Sequence, residues 1–468
     1  MAYTNTNVTL LDKKEAQTMC NLPIATGTGG CFIAPQSGVR NNAMYVTSAT
    51  VVYLYNHEDD GFMQITSPAL AGTFGAGTCG CRHTWSMTYT ANGGSTTTVT
   101  VDTGTHALKG VCVGSTLEML SGTADNIGLR RTVTNFSIIG TTAGITLDSA
   151  LPAAVASTDT FRMTTGRFFV LNAGALAANS FKVFDNGTME WDATPTVTGL
   201  PASWGTSGKM VSTYTRLDVF ATGTATSGSA TTLVNSAKAW TVDQWIGYQV
   251  RITAGTGCGQ VRTITDSDAT SLTFATGATI DNTSQYSIEG NEDYLYLLGN
   301  AATAFYRYSI SGNSWTTMTA RTASSTTCMM AEWIGVTGNA CWGNEDTIQD
   351  GKYIYSPRGG ATATLYRYNI STNAWETMTY NGIDTFTTGS SMTAYKDNIY
   401  IQQNSTGRFF QYNIPGNYSA GYFTDSYTQS TAREGDKIWM KLLDEEGSVA
   451  WLYYALNNLT ALRRIMIY

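Results

Sequence analysis

A 14-residue segment occurs twice in this chain, and the repeat constrains the fold more than any other feature. Residues 305–318 read Phe-Tyr-Arg-Tyr-Ser-Ile-Ser-Gly-Asn-Ser-Trp-Thr-Thr-Met, and residues 365–378 read Leu-Tyr-Arg-Tyr-Asn-Ile-Ser-Thr-Asn-Ala-Trp-Glu-Thr-Met. Each copy alternates aromatic and polar residues, turns at Ser, Gly or Asn, and resumes at Trp, which predicts a β-hairpin. One such hairpin cannot bury its own aromatic face, so its recurrence predicts a stack of neighbouring sheets.

The aromatic spacing of the hairpin extends along most of the chain. In four places two aromatic residues seven positions apart mark a third strand and the fourth strand that follows it: Tyr55 with Phe62, Phe184 with Trp191, Tyr308 with Trp315, and Tyr368 with Trp375. A fifth pair, Tyr412 with Tyr418, is six positions apart. A second-strand signal precedes each pair and occurs once more near the end, at 43–45, 167–169, 294–296, 353–355, 398–400 and 437–439. Six four-stranded units of this kind predict an all-β radial propeller, with a sixth blade centred on Tyr453 and the last strand, 464–468, joined to the first blade.

The pattern resembles the kelch propeller over residues 43–83, 167–215 and 291–468. The Tyr-to-Trp spacing and the sequence Asp-Gly-Lys-Tyr-Ile-Tyr at 350–355 match the kelch repeat, while the paired glycines of the family are present in one blade, as Gly359 and Gly360. The resemblance implies a kelch-like propeller of about six blades.

Two stretches between the early blades are longer than a blade requires. Tyr55 and Phe184 are 129 positions apart, and Phe184 and Tyr308 are 124 apart, whereas a blade needs roughly 40–50 residues. The surplus segments resemble each other, and the matching residues are Val113-Gly114 and Ile246-Gly247, Ser121-Gly122 and Ala254-Gly255, 128–134 and 259–265, 145–147 and 272–274, and 160–161 and 285–286. The sequence therefore predicts two copies of one small β-module, inserted between early blades on the propeller surface.

This gives a domain organisation for the whole chain. We expect an N-terminal arm over 1–42 with a short helix at 10–19, blade 1 at 43–83, the first insert at 84–165, blade 2 at 166–216, the second insert at 217–290, and the remaining blades at 291–468. The second insert, over 223–265, resembles modules found in tailed-bacteriophage virion proteins, and kelch-like propellers with such modules resemble phage structural proteins.

Composition limits the partners. Only 13% of the residues are charged and the net charge is -7, which argues against a nucleic-acid surface. The N-terminal residues lack a secretory signal and no apolar run is long enough to cross a bilayer, so we expect synthesis in the host cytoplasm and no membrane partner.

Few residues are arranged for catalysis, and we predict no catalytic, cofactor or metal site. The three histidines, His57, His83 and His106, have no metal-ligand spacing among them. The segment 255–259, Gly-Thr-Gly-Cys-Gly, lacks the Lys-Ser/Thr and the helix of a phosphate-binding loop, so its glycines are interpreted as turn residues. Cys79, Cys81 and His83 form at most half of a metal site, and free thiols are the alternative.

Acidic groups were considered because propellers can carry glycosidase sites. The carboxylate clusters at 58–60, 291–293 and 444–446 fall in turns or at strand entries, where acidic residues are common for structural reasons. A calcium site from Asp59, from Asp60 or from Asp185 with Asn186 is a further alternative that no ligand spacing supports.

The cysteines support a hypothesis about the mature particle. A protein made in the cytoplasm keeps its thiols reduced, but a released particle meets an oxidising medium. Accessible thiols at arm and loop positions can then pair within or between subunits, and the candidates are Cys20, Cys31, Cys79, Cys81 and Cys258.

Three functions are compatible with this sequence. The first hypothesis is a non-enzymatic structural component of a virion, located in capsid, neck or tail, that contacts other virion proteins and copies of itself. The second is an adhesin that binds host-surface glycan through loop aromatics, and the third is a glycan-degrading enzyme.

Overall fold

The computed structural model describes the chain in segments. They are residues 17–23, 31–33, 42–46, 51–56, 59–65, 78–102, 113–171, 181–185, 190–191, 199–202, 204, 209–212, 219–277, 279–290, 294–299, 303–310, 312–323, 331–332, 353–358, 362–370, 372–378, 380–381, 391–395, 398–402, 408–413, 421–428, 438–442, 450–455 and 462–467. These residues form 36 strands, β1 to β36 in chain order, and one short 3-10 helix, Ala124–Asn126. No helix among them is long and apolar enough to span a membrane.

The first blade is a four-stranded antiparallel sheet. Its strands are β2 (Cys31–Ile33), β3 (Asn42–Val46), β4 (Val52–Asn56) and β5 (Gly61–Ile65). The preceding strand β1 (Gln17–Thr18) belongs to the last sheet instead. Val52, Tyr53, Leu54 and Tyr55 of β4 are all buried, although alternate side chains of a strand point to opposite faces. Both faces of the blade are therefore covered, as in a propeller.

The second blade and the first insert share two long strands. In chain order the strands are β6 (Cys79–Gly94), β7 (Thr98–Asp102), β8 (Thr116–Ser121), β9 (Arg130–Ile139), β10 (Thr142–Leu147), β11 (Ser157–Leu171), β12 (Phe181–Asp185) and β13 (Glu190–Trp191). The blade consists of the start of β6, the end of β11, β12 and β13. The other halves of β6 and β11 join the order β6-β7-β10-β9-β8-β11, and because β11 also pairs with β6 the insert is a closed six-stranded barrel.

The third blade contains the second insert at the corresponding place. Its strands are β14 (Lys209–Ser212), β15 (Val219–Thr224), β16 (Ser227–Gly228), β17 (Thr232–Val234), β18 (Gln249–Ala254), β19 (Val261–Ser267), β20 (Ser271–Phe274), β21 (Gln285–Glu289), β22 (Tyr294–Leu298), β23 (Phe305–Ser309) and β24 (Ser314–Met318). The blade has the order β14-β22-β23-β24, and the insert has the order β15-β21-β18-β19-β20-β17-β16. With β15 and β16 as two parts of one strand, the pairing is that of the first barrel.

The fourth and fifth blades contain no inserted barrel. Blade 4 consists of β25 (Ala331–Glu332), β26 (Tyr353–Pro357), β27 (Leu365–Asn369) and β28 (Ala374–Thr377). Blade 5 consists of β30 (Ser391–Tyr395), β31 (Asn398–Gln402), β32 (Arg408–Asn413) and β33 (Gly421–Thr428), and β29 (Tyr380–Asn381) adds a parallel strand at its outer edge.

The sixth blade joins the two ends of the described chain. Its strands are β34 (Ile438–Leu442), β35 (Ala450–Ala455), β36 (Leu462–Ile467) and β1. Gln17 and Thr18 of β1 pair with Arg464 and Arg463 of β36. The backbone N–H of Met19 donates to the carbonyl of Leu462 at 2.9 Å, which continues this pairing.

The six sheets form a closed ring. Their first strands are neighbours in the order β2, β6, β14, β25, β30 and β34, and β34 contacts β2 again. Apolar clusters fill the spaces between blades: Leu54 of blade 1 packs with Phe168 of blade 2, and Leu297 of blade 3 packs with Phe169 of blade 2. The predicted all-β, kelch-like propeller of about six blades with two duplicated inserts is confirmed.

The blade limits differ from the predicted ones in three places. The segment 1–42, expected to be an arm, supplies strands β1 and β2. Gln17 and Thr18, which were expected to end a helix over 10–19, are in a β-strand. Residues 10–16 lie outside the described residues. The limits at 83/84 and 165/166 fall inside β6 and β11, so each insert interrupts the first hairpin of a blade. Residues 438–439 belong to the first strand of blade 6, and Tyr453 lies in its second. The aromatic pairs mark the third and fourth strands of each blade. The first strands have no comparable sequence pattern, so their limits could not be predicted.

Candidate functional site at the junction of the two barrels

The two barrels contact each other through residues that occupy the same position in each. Glu118 is the third residue of β8, and Arg251 is the third residue of the corresponding strand β18. Nη1 of Arg251 lies 2.6 Å from Oε1 of Glu118. Each residue therefore meets its own counterpart in the other barrel.

Four charged side chains form a closed ring of alternating sign at the junction. Nε of Arg251 lies 2.9 Å from Oε1 of Glu289, and Nη2 of Arg130 lies 2.7 Å from Oε2 of the same carboxylate. Nε of Arg130 then lies 3.5 Å from Oε2 of Glu118, which closes the ring. The hydroxyl of Ser287 donates to Oε1 of Glu289 at 2.7 Å. Each barrel therefore contributes one carboxylate and one guanidinium.

This ring is almost fully removed from water. The side chains of Glu118, Arg251 and Glu289 are 2–3% exposed, and that of Arg130 is 21% exposed. Buried charges of this kind are tolerated only when they are paired, since the loss of one partner leaves the others uncompensated. Arg162 approaches Glu118 at 3.8 Å and adds positive charge at the edge of the ring.

The backbones of the barrels also meet at equivalent residues. Gly128 and Gly259 both have positive φ, 81° and 87°. A Cβ on Gly128 would lie 3.0 Å from Cα of Gly259, and a Cβ on Gly259 would overlap Cγ2 of Ile127. Cys258, the counterpart of Ile127, places Sγ 3.7 Å from the carbonyl oxygen of Ile127. A side chain at either position would therefore force the facing residue of the other barrel to shift.

The junction was not predicted from the sequence. The sequence did contain a signal. Glu118 and Arg251 are the only charged residues of the matching strands 116–121 and 249–254, and their charges are opposite.

The predicted blade residues lie at equivalent positions in the ring. Tyr55 pairs across the hairpin with Phe62, Phe184 with Trp191, Tyr308 with Trp315 and Tyr368 with Trp375, with ring centroids 4.9–5.2 Å apart. Tyr412 is buried and contacts Tyr355 of blade 4, with centroids 6.2 Å apart. Tyr418 lies outside the described residues. Aromatic residues seven positions apart are thus direct neighbours across the third and fourth strands of a blade.

A second feature of these hairpins is a bond from the tyrosine to its own turn. The hydroxyls of Tyr55, Tyr308 and Tyr368 donate to the residue five positions later at 2.7–2.9 Å, and the acceptors are Asp60, Asn313 and Asn373. All three acceptors have positive φ, between 45° and 51°, a conformation that Asp and Asn tolerate better than most residues. The turn residue is therefore fixed by the strand tyrosine.

Two of these turns bind the preceding blade. Asn373 accepts a hydrogen bond from the backbone N–H of Thr319 at 3.0 Å, just after the outer strand of blade 3. Asp60 accepts from the N–H of Cys20 at 3.0 Å, just after β1, the outer strand of blade 6. The acidic turn at 59–60 thus has a structural role in ring closure.

The cysteines differ in accessibility. Cys79 and Cys81 are buried on β6, between blades 2 and 3. Cys20 is half-buried, and burial together with Asp60 raises its pKa to about 12. Cys258 is exposed, and none of these four cysteines is in a disulfide. The side chain of Cys31 lies outside the described residues. Pairing between copies stays a prediction, and Cys258 is its most accessible candidate.

The groups considered for catalysis or metal binding are not brought together in the part that the structure describes. His83 is fully buried, and burial lowers its pKa to about 3, so the ring is neutral. His57, His106, Glu58, Asn186 and the clusters at 291–293 and 444–446 lie outside the described residues, as does the side chain of Asp185. Among the described side chains no three metal-ligating residues form a group.

Comparisons with known proteins give no family. No family model matches the chain, and no curated protein matches it. Two solved structures with a similar trace are titled "Structure of U3-55K" and "Crystal Structure of Mitotic Checkpoint Complex". The first shares 7% identity at a TM-score of 0.40, covering 97% of this chain and 99% of that one. The second shares 10% identity at a TM-score of 0.39, covering 97% and 95%.

Proposed function

We propose that this chain is a non-enzymatic structural component of a tailed-phage virion that acts through protein–protein contacts. The observation that carries the proposal is the rigid connection between the propeller and the paired barrels. Strands β6 and β11 run without a break from blade 2 into the first barrel. The first barrel in turn contacts the second through the ion pair of Glu118 and Arg251. A body held in this way presents several surfaces at fixed distances, which is what repeated assembly requires.

The buried groups of the molecule support the same role. The described aromatic side chains of the blades are buried or half-buried, and they contact rings of the same or the next blade. Buried charged groups also bind other protein groups, as Arg321 does with the hydroxyl of Ser356 at 2.8 Å. These residues hold the architecture together. Resemblance of the inserts to phage modules provides the biological setting.

The direct test is association with particles. In virions purified through a density gradient, we expect the chain in many copies, retained after washes at high salt. Gly259→Ala, which disturbs the junction, should reduce its incorporation, whereas Gly247→Ala, at φ 88° with open space around it, should not. Recovery of the wild-type chain only in the unassembled fraction would contradict the proposal, and specific binding on a glycan array would favour an adhesin instead.

A further inference from the structure

The exposed large apolar side chains of the described residues lie mostly in the two barrels. They are Met63, Val113, Ile138, Ile139, Val219, Val242 and Ile246, and of these only Met63 belongs to a blade. The most exposed are the adjacent Ile138, at 58%, and Ile139, at 80%. Two adjacent large apolar side chains exposed to this degree indicate a contact site, whereas apolar residues exposed singly are ordinary.

The strand register gives the position of Ile138 and Ile139. Strand β6 enters the barrel from the ring, and its far end, at Gly93 and Gly94, pairs with the start of β7. β7 therefore runs back toward the ring and ends at Asp102, which pairs with Thr142 at the start of β10. Ile139 is the partner of Thr142 on the other side. The tip of the β9–β10 hairpin consequently lies on the ring side of the first barrel.

The second barrel shows that this hairpin is longer than the barrel requires. The pair Val133 and Leu147 corresponds to the pair Ile264 and Phe274. The first pair is 14 positions apart in sequence and the second is 10 apart. The shorter hairpin closes its barrel equally well, and it has Asp266 and Asp268 near its tip. The additional length and the isoleucines of the first hairpin are thus not needed for folding.

The charge of the hairpin indicates its partner. From Thr132 to Leu147 the sequence contains no charged residue, although the whole chain has a net charge of -7. A basic or acidic partner would find no complementary charge there. Two identical acidic chains, in contrast, approach with least repulsion through an uncharged segment. A two-fold contact would also place the same hairpin of each copy against the other.

We propose that the β9–β10 hairpin, with Ile138 and Ile139 at its tip, is the surface through which two copies of this chain contact each other. The inference rests on the proposed structural role and specifies one of its contacts. A single hairpin per copy covers less than the roughly 1,000 Å² expected of a stable interface. The contact is therefore weak between free molecules and becomes effective when many copies are held side by side.

Sedimentation velocity over a concentration series, up to several hundred micromolar, tests the proposal. Wild-type protein should show reversible monomer–dimer exchange, and Ile138→Asp with Ile139→Asp should shift the midpoint at least tenfold or abolish it. The matched control is Val242→Asp, which changes an aliphatic residue of the other barrel that is 61% exposed. It should associate as the wild type does, and all three proteins should have the same melting temperature because the changed residues are exposed.

Three outcomes would overturn the proposal. They are a wild-type protein that stays monomeric throughout, a double variant that dimerises like the wild type, and a control that weakens association equally. If the wild type is monomeric while the double variant no longer joins particles, the hairpin binds a different protein. That result would leave the virion role intact and remove only the contact between copies.

Discussion

Glu118 and Arg251 occupy the same position in two copies of one barrel, and they form an ion pair in which Nη1 of Arg251 lies 2.6 Å from Oε1 of Glu118. The duplicated module therefore contacts itself within one chain, with the charge inverted at the point of contact. The insertion sites explain why this is feasible. Both barrels interrupt the first hairpin of their blades, and blades 2 and 3 are neighbours in the ring. The propeller thus holds the two barrels side by side.

Removal of one charge from the ring should destabilise the junction. Glu118→Ala leaves Arg251 and Arg130 with a single buried carboxylate, so we expect a loss of about 3–5 kcal/mol. Glu118→Met with Arg251→Met should recover most of this, because the pair of Arg130 and Glu289 remains and no buried charge is left alone. Urea unfolding and amide exchange at Gly128 measure the effect, with the exposed Asp125→Ala as control. Equal losses in the single and double variants would mean that the ion pair does not hold the junction.

The glycine contact allows steric overlap to be separated from backbone strain. Gly259→Ala and Gly247→Ala introduce a Cβ at nearly the same φ, 87° and 88°, so each should cost about 1–2 kcal/mol of strain. Only Gly259→Ala also overlaps Ile127, whereas Gly247 has open space. We expect the first variant to melt several degrees lower than the second and to lose exchange protection at Ile127. Similar melting of both would show that the barrels are not in close contact.

The blade tryptophans should contribute unequally to stability. Trp315 is buried and packs on Phe181 of blade 2, with centroids 5.7 Å apart, so Trp315→Ala should cost about 3–5 kcal/mol. Trp375 is half-buried, packs on Phe305 and donates from Nε1 to the carbonyl of Thr319 at 2.9 Å. Trp375→Ala should therefore reduce the free energy of unfolding by less than Trp315→Ala does. Trp375→Phe keeps an aromatic ring but removes the hydrogen bond, so it measures the contribution of that bond. A change near zero for Trp315→Ala would show that this ring does not fasten the two blades.

His83 should make the fold sensitive to acid. Its pKa falls from 6.5 to about 3 on burial, so the unfolded chain binds a proton below pH 6.5 that the folded chain does not. Stability is thus independent of His83 at neutral pH and decreases as the pH falls below 6.5, by about 1.4 kcal/mol per unit. At pH 5 the loss is about 2 kcal/mol. The difference between wild type and His83→Gln, followed from pH 7.5 to 5, measures it, and parallel curves would contradict the assigned burial.

Thiol labelling tests the cysteine assignment. In native protein at pH 8, Cys258 should react first because it is exposed, and Cys79 and Cys81 should react only on unfolding. Cys20 should be slow because its raised pKa, about 12, keeps the thiol protonated. Mass spectrometry of alkylated peptides gives the order, and Cys258→Ser is the control. Non-reducing electrophoresis of particles then shows whether Cys258 links copies, and complete alkylation of all cysteines would exclude any disulfide.

The elements whose interactions are local could be predicted from the residues alone. Tyr308 and Trp315 are seven residues apart and face each other across a single turn, so their spacing is visible without knowledge of the rest of the chain. The blade repeat and the duplication of the inserts follow from the same short-range patterns. The bond from Tyr368 to Asn373 is of this kind as well, and it explains why the turn position is occupied by Asn in both copies of the repeat.

Contacts between residues distant in the chain could not be predicted, because they depend on how the blades are arranged in the ring. β1 pairs with β36 across nearly the full length of the sequence, and its two residues have no pattern of their own. The first strands of blades 2 and 3 pair only after a whole barrel has intervened, so no local signal marked their limits. Glu118 meets Arg251 because the ring places two barrels next to each other. Their opposite charges favour the contact, but the two side chains would be exposed to solvent if the ring did not place the barrels side by side.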